Sequence, residues 1–227
     1  LKKNTLLMLS GGIDSTATLL WMLDNTDDNI EVHHINLINR TNRYKSEKIA
    51  VYNILNWFEI NKRKFEYTES TIDLGMNGWI PYDRLIYTFI GGCKVMGINK
   101  TNKLDRFVGG DIKLYNNSES SQSFRKYNRK KCKELLDMVS GFRYDRYTEN
   151  SPNFTENGGV YYTPLKNWTK EEVIAYLPED LLSLCWYCRT PLTGHGKCGT
   201  CVSCMAVKRA TGQLTLEEIK QYKRWID

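Results

Sequence analysis

The stretch "LLMLSGGIDSTATLLWML" (6–23) constrains this chain more than any other part of it. An apolar run long enough only for a buried strand stops at Ser10-Gly11-Gly12. After Asp14 an apolar helical pattern resumes from Ser15 to about Asp24. A strand that turns through glycines straight into a helix opens a βαβ unit and commits the chain to parallel strands. Such a turn lies at the carboxyl edge of the sheet, where open α/β folds bind ligands. Gly11 and Gly12 let backbone approach a bulky anion, the N–H groups that open the helix point at it, and the helix dipole favours its charge. Ser10 and Ser15 add hydroxyl donors, and Asp14 can hold a magnesium ion or its water shell against a polyphosphate. The turn has neither the Gly-Lys-Thr/Ser of a Walker loop nor the Gly-x-Gly-x-x-Gly of a dinucleotide loop, so it is a third kind of phosphate loop.

The pattern repeats downstream. "IEVHHINL" (30–37) reads as a strand, "YKSEKIAVYNILNWF" (44–58) as a helix, "KFEYTE" (64–69) as a weaker strand and "RLIYTFIGGCKVMG" (84–97) as a helix despite Gly91 and Gly92. "RFVGG" (106–110) is a short strand ending beside Asp111, and "VYYTPL" (160–165) is a last extended segment. Strands alternating with helices predict a parallel sheet with helices on both faces. Residues 113–123 and 145–159 are rich in Asn, Ser, Gly and Glu and read as loops around a basic helix at about 122–139. Arg125, Arg129 and Lys133 share one side of that helix, a solvated face or a phosphate contact. Thr169-x-x-Glu172 and Thr215-x-x-Glu218 each fit a capping box at a helix start. The expected division is an α/β part over 1–180 that carries the phosphate loop and a cysteine-rich part over 181–227.

Five of the seven cysteines crowd between Cys185 and Cys204. With no apolar run approaching the ~20 residues that cross a bilayer, and no signal-peptide pattern, the chain is expected in the cytoplasm, where crowded cysteines point to metal before disulfide. Two short C-x-x-C loops present thiolates from two sides of one tetrahedron, which zinc accepts without geometric penalty. Cys188, Cys198, Cys201 and Cys204 are the expected ligands of a structural zinc, with Cys185 spare, an exchange of Cys185 for Cys188 left open, and His195 a lesser candidate. The formal charge of +6 (32 basic against 26 acidic residues) suits anionic small ligands such as nucleotides and does not by itself indicate nucleic acid.

"SGGIDS" is similar to the SGGxDS signature of the PP-loop ATP pyrophosphatases, which cleave ATP between its α and β phosphates. Joined to C-x9-C-x-x-C-x-x-C and to "TPLKNWTKEEVIAYL" (163–177), it resembles the 7-cyano-7-deazaguanine synthase (QueC) family over nearly the whole length. The resemblance implies a Rossmann-like, adenine nucleotide alpha hydrolase-like sheet with a small zinc-bearing C-terminal region, and a homodimer. It implies ATP at Ser10, Gly11, Gly12, Asp14 and Ser15, with Lys170 at the nucleotide or pyrophosphate. The implied reaction adenylates 7-carboxy-7-deazaguanine, takes up ammonia to give the amide, and dehydrates it in a second activation to the nitrile. Asp111, at the end of a late strand, stands where a magnesium or base-edge contact is useful, or where it caps a turn. The segments expected to recognise the deazapurine differ from the family pattern. "LINRTNRYKSEK" keeps only Arg43 and Glu47 in register, and "IPYDR" (80–84) and "SSQSFRK" (120–126) replace family motifs. Transfer of the adenylated group to another amine, to a protein or to a nucleic acid, as in the tRNA-modifying PP-loop enzymes, therefore stays open.

Overall fold

In the computed structural model the described residues are 2–75, 83–99, 104–113, 135, 160–192 and 196–218. Strands β1 (Asn4–Met8), β2 (Asn29–Ile38), β3 (Glu66–Asp73), β4 (Arg106–Val108) and β5 (Val160–Tyr162) form one sheet in the order β3-β2-β1-β4-β5. Every pairing is parallel, with Leu7 opposite both Val32 and Val108. The central strand is apolar throughout because both its faces are covered. Leu7 and Leu9 pack with residues of α1 (Ile13–Asn25) and α2 (Tyr44–Asn61), among them Leu20, Val51, Ile54 and Phe58. Leu6 and Met8 pack on the opposite face with Phe107 and with Val95 of α3 (Arg84–Asn99).

The strand order reverses between β1 and β4, and the glycine turn opens into the crevice there. Gly91 explains why a helix tolerates a glycine pair against this sheet, since a Cβ at that position would lie 2.5 Å from the Phe107 ring. β3 extends four residues beyond the expected "KFEYTE", to Asp73, because β2 runs on to Ile38 and keeps pairing with it.

Beyond β5 come α4 (Lys170–Tyr176), α5 (Glu179–Leu184) and α6 (Val202–Ala210). Both capping boxes are formed: Thr169 and Glu172 exchange hydrogen bonds of 2.6 and 3.2 Å, and Thr215 and Glu218 exchange bonds of 2.9 and 3.2 Å. α6 ends in a Schellman motif, with Gly212 at φ +68°, its N–H on Arg209 O and the Gln213 N–H on Lys208 O. Val173, Leu177, Leu181, Cys185 and Val207 join the apolar cluster of Leu7 and Leu9, which places these helices on the α1 side of the sheet. Apart from Leu135, the basic helix expected at 122–139 lies outside the described residues, as do residues 114–123 of the first loop, "SSQSFRK" (120–126), the loop at 145–159, Ile80, Pro81 and Tyr82 of "IPYDR", and His195. Among the described residues no helix is long and apolar enough to cross a membrane.

Candidate active site and metal centre

The turn after β1 is held by its own small side chains. Ser10 Oγ and Ser15 Oγ stand 3.0 Å apart, and the Ser10 N–H donates to Ser15 Oγ at 3.2 Å. Gly12 N–H donates to Ser10 Oγ, while the Thr16 hydroxyl donates to Gly12 O at 2.8 Å. Gly11 takes φ +76°, and a Cβ there would meet Val51 Cγ2 at 3.0 Å and Glu47 O at 3.1 Å, so α2 backs the turn closely. No side chain caps α1 at Gly12, and among the described residues the N–H groups of Ile13, Asp14 and Ser15 have no protein acceptor. Three donors thus open the helix at its positive end, as an anion site requires.

Asp14 and Lys170 close one side of the turn. Lys170, first residue of α4, reaches Asp14 Oδ1 at 2.5 Å, so the capping box at Thr169 fixes where that ammonium stands. Gly110, just past β4, presses on the other side, where its Cβ would lie 3.0 Å from Ser15 N and Cα. The next residue, Asp111, is held in a fork by Arg84, with Nη1 on Oδ1 at 2.5 Å and Nη2 on Oδ2, and Tyr161 donates its hydroxyl to the same carboxylate at 3.1 Å. Burial pushes the Tyr161 and Tyr87 hydroxyls well up, so both stay protonated donors beside that pair. Arg43 and Glu47 pair at 3.0 Å, and Arg43 also pairs with Asp83. Burial raises the Glu47 pKa against the pull of Arg43.

Sequence reasoning singled out the loop, Asp14, Lys170 and Asp111, and gave no individual role to Arg84, Tyr161, Asp83 or Trp186. Arg84 and Tyr161 are separated from Asp111 by 27 and 50 residues, and nothing in the local pattern links them. Trp186 acts through its backbone, its N–H donating to Gly11 O at 2.8 Å.

Cys188, Cys198, Cys201 and Cys204 come together, with all four Sγ atoms within 4.8 Å of one another. Four thiolates on one ion at a metal–sulfur distance of about 2.3 Å stand about 3.8 Å apart, so the quartet fits a single tetrahedral ion with little movement. Backbone N–H groups already point at the sulfurs: Cys198 N–H to Cys188 Sγ at 3.2 Å, Cys201 N–H to Cys198 Sγ at 3.3 Å and Arg189 N–H to Cys201 Sγ at 3.4 Å. Burial works against a Cys198 thiolate, but bonds from Thr190 and from the backbone at Thr200 and Cys201 outweigh it and bring its pKa to about 5. Cys185 is not in the quartet. It is 1% exposed, its thiol donates to Leu181 O, and burial pushes its pKa up to about 11.

The parallel order with its switch point above the glycine turn, together with the four-cysteine cluster, defines an α/β protein of the adenine nucleotide alpha hydrolase-like fold. A solved structure that shares it is the U34-tRNA thiolase NcsA from Methanococcus maripaludis with its 4Fe-4S cluster. The likeness covers 100% of this chain and 73% of that one at a TM-score of 0.50 and 16% identity. A predicted subunit of tRNA methyltransferase from Methanocaldococcus jannaschii is similar over 76% of this chain and 72% of that one, with a TM-score of 0.37 and 13% identity. No family model matches the chain. No curated protein matches it in sequence.

Proposed function

We propose that this chain is an AMP-forming, ATP-using enzyme of the PP-loop type. The observation that carries the reading is the uncapped start of α1, framed by the Ser10 and Ser15 hydroxyls with the Asp14–Lys170 pair beside it, at the switch point of the sheet. An acceptor oxygen attacks the α-phosphorus of ATP, the α–β bridging bond breaks, and pyrophosphate leaves. The N–H groups of Ile13, Asp14 and Ser15 and the Lys170 ammonium stabilise the charge that gathers on it. Asp14 would hold a magnesium ion, which would supply positive charge against the departing pyrophosphate. The acceptor gains a good leaving group, AMP, where it had oxide. No protein nucleophile takes part.

Two acceptors are supported by separate observations. The motifs "SGGIDS" and "TPLKNWTKEEVIAYL", with the cysteine spacing, favour 7-carboxy-7-deazaguanine with ammonia. In that reaction one adenylation gives the amide and a second gives the nitrile. The whole-length likeness to a tRNA thiolase favours a nucleobase of tRNA, and the comparisons support this reading better than the first. Burial pushes the Cys185 thiol up to about 11, which argues against it as a nucleophile.

The test is to incubate the protein with ATP, magnesium and each acceptor and to follow AMP and product by mass spectrometry, with elemental analysis of the same sample. AMP with the nitrile, and zinc in the quartet, supports the deazapurine reading. AMP that appears only with tRNA supports the second. No AMP with any acceptor refutes the function.

A further inference from the structure

We propose that metal binding at the four cysteines and pyrophosphate binding at the Ser10–Ser15 turn are thermodynamically coupled, through the backbone and indole of Trp186. The inference rests on the phosphate-loop reading above and adds to it a role for the cysteine loop that a remote staple would not have.

Trp186 is tied at both ends. Its N–H donates to Gly11 O at 2.8 Å, and its carbonyl lies 3.4 Å from where a Cβ on Gly12 would sit, so its backbone lies against both glycines. Its indole Nε1 donates to the carbonyl of Cys188, the first residue of the quartet, at 3.0 Å. The turn is approached from a second side as well. Gly11 rests on Glu47 O and Val51 of α2, and Glu47 pairs with Arg43.

The direction of the effect follows from charge and from backbone geometry. Four sulfurs held within 4.8 Å repel one another as thiolates unless a cation sits among them. With the cation bound, Cys188 is fixed among the other three cysteines and Trp186 pins the Gly11 carbonyl. That carbonyl is the acceptor end of the peptide whose donor end is the Gly12 N–H, so pinning it sets the plane from which the following N–H groups face the phosphates. With the cation gone, the hold on Gly11 loosens and the turn must be ordered by pyrophosphate itself. Ordering a loop costs binding free energy, so the metal-free chain binds pyrophosphate more weakly. Linkage requires the reverse as well: pyrophosphate tightens the metal by the same factor.

The experiment uses the full chain loaded with zinc and the same chain stripped by a chelator, each titrated with inorganic pyrophosphate and magnesium in a calorimeter. Far-UV circular dichroism checks that both are folded. The expected result is about tenfold weaker binding to the stripped protein, within the range usual for coupled sites. A chelator competition should show zinc held more tightly in saturating pyrophosphate by the same factor. Where the stripped chain unfolds, cobalt replaces zinc in the loaded protein. Pyrophosphate should then shift the visible ligand-field bands along the same binding curve that calorimetry gives. Equal affinities in two folded forms, or a cobalt spectrum unmoved by saturating pyrophosphate, overturns the coupling and leaves the phosphate loop standing. Failure of pyrophosphate to bind the loaded protein refutes the phosphate-loop reading and the coupling with it.

Discussion

Replacing Gly11 by alanine separates two penalties that this turn combines. The residue sits at φ +76°, where an L side chain costs about 1–2 kcal/mol. A Cβ there would also stand 3.0 Å from Val51 Cγ2 and 3.1 Å from Glu47 O. Neither neighbour can give way, because Val51 is fully buried and the Glu47 carbonyl is helix backbone, so overpacking adds about 1–3 kcal/mol. Gly212 supplies the reference. Its φ is +68° and nothing lies within 4 Å of its Cβ position, so Gly212→Ala carries the backbone penalty alone, about 1 kcal/mol after the gain from a less flexible unfolded chain. The expected loss for Gly11→Ala is therefore about 2–4 kcal/mol against about 1 for Gly212→Ala. Equilibrium unfolding in guanidinium, followed by tryptophan fluorescence and circular dichroism, reads both values. Gly11→Ala should also weaken pyrophosphate binding, which Gly212→Ala should leave unchanged. A Gly11→Ala protein no less stable than Gly212→Ala would refute the claim that α2 backs the turn rigidly.

Asp14→Ala should abolish AMP release while moving the unfolding midpoint little, because its ion pair with Lys170 is partly exposed and such pairs contribute less than about 1 kcal/mol. Cys201→Ser should lose the metal, whereas Cys185→Ser should retain about one metal ion per chain by elemental analysis; the opposite pattern would overturn the quartet. His33 is buried against Thr68 and Ser70, and burial, aided by Lys94 and opposed by Glu31, lowers its pKa from 6.5 to about 4. The unfolded chain takes a proton near pH 6.5 and the folded chain resists it until about pH 4. Stability is therefore full above pH 6.5 and falls by up to about 3 kcal/mol as pH drops towards 4. Urea unfolding across that window should show the slope, and His33→Gln should flatten it; an unchanged slope in the variant would sink the assignment.

The strand, turn and helix of residues 6–23 were legible because each speaks in local chemistry: an unbroken apolar run, two glycines, then an apolar helical period. The cysteine quartet was legible for a similar reason, since thiolates at C-x-x-C spacing have few other uses. Cys188 rather than Cys185 was the expected ligand, and the reason lies in the packing: Cys185 joins the apolar cluster at the end of α5 and donates to Leu181 O, while Cys188 lies with the other three sulfurs. The far end of β3 was hidden because "STID" carries no apolar period, and its extension is decided by the length of β2 beside it. The Trp186 N–H on Gly11 O left no trace, since any residue except proline supplies the same N–H. Arg84, Asp111 and Tyr161 meet only because β4, β5 and the start of α3 converge at one sheet edge.

That edge has a consequence for the order in which the protein is completed. β4 and β5 pair across roughly fifty intervening residues, a closure that carries a larger entropic cost than that of shorter loops. On the ribosome, β1 to β4 and the glycine turn emerge long before Tyr161 does. Throughout that interval Asp111 has Arg84 but lacks the phenol that completes its shell, and β4 shows a bare flank to any strand nearby. The nascent chain is therefore most open to mispairing beside the crevice at the switch point of its sheet.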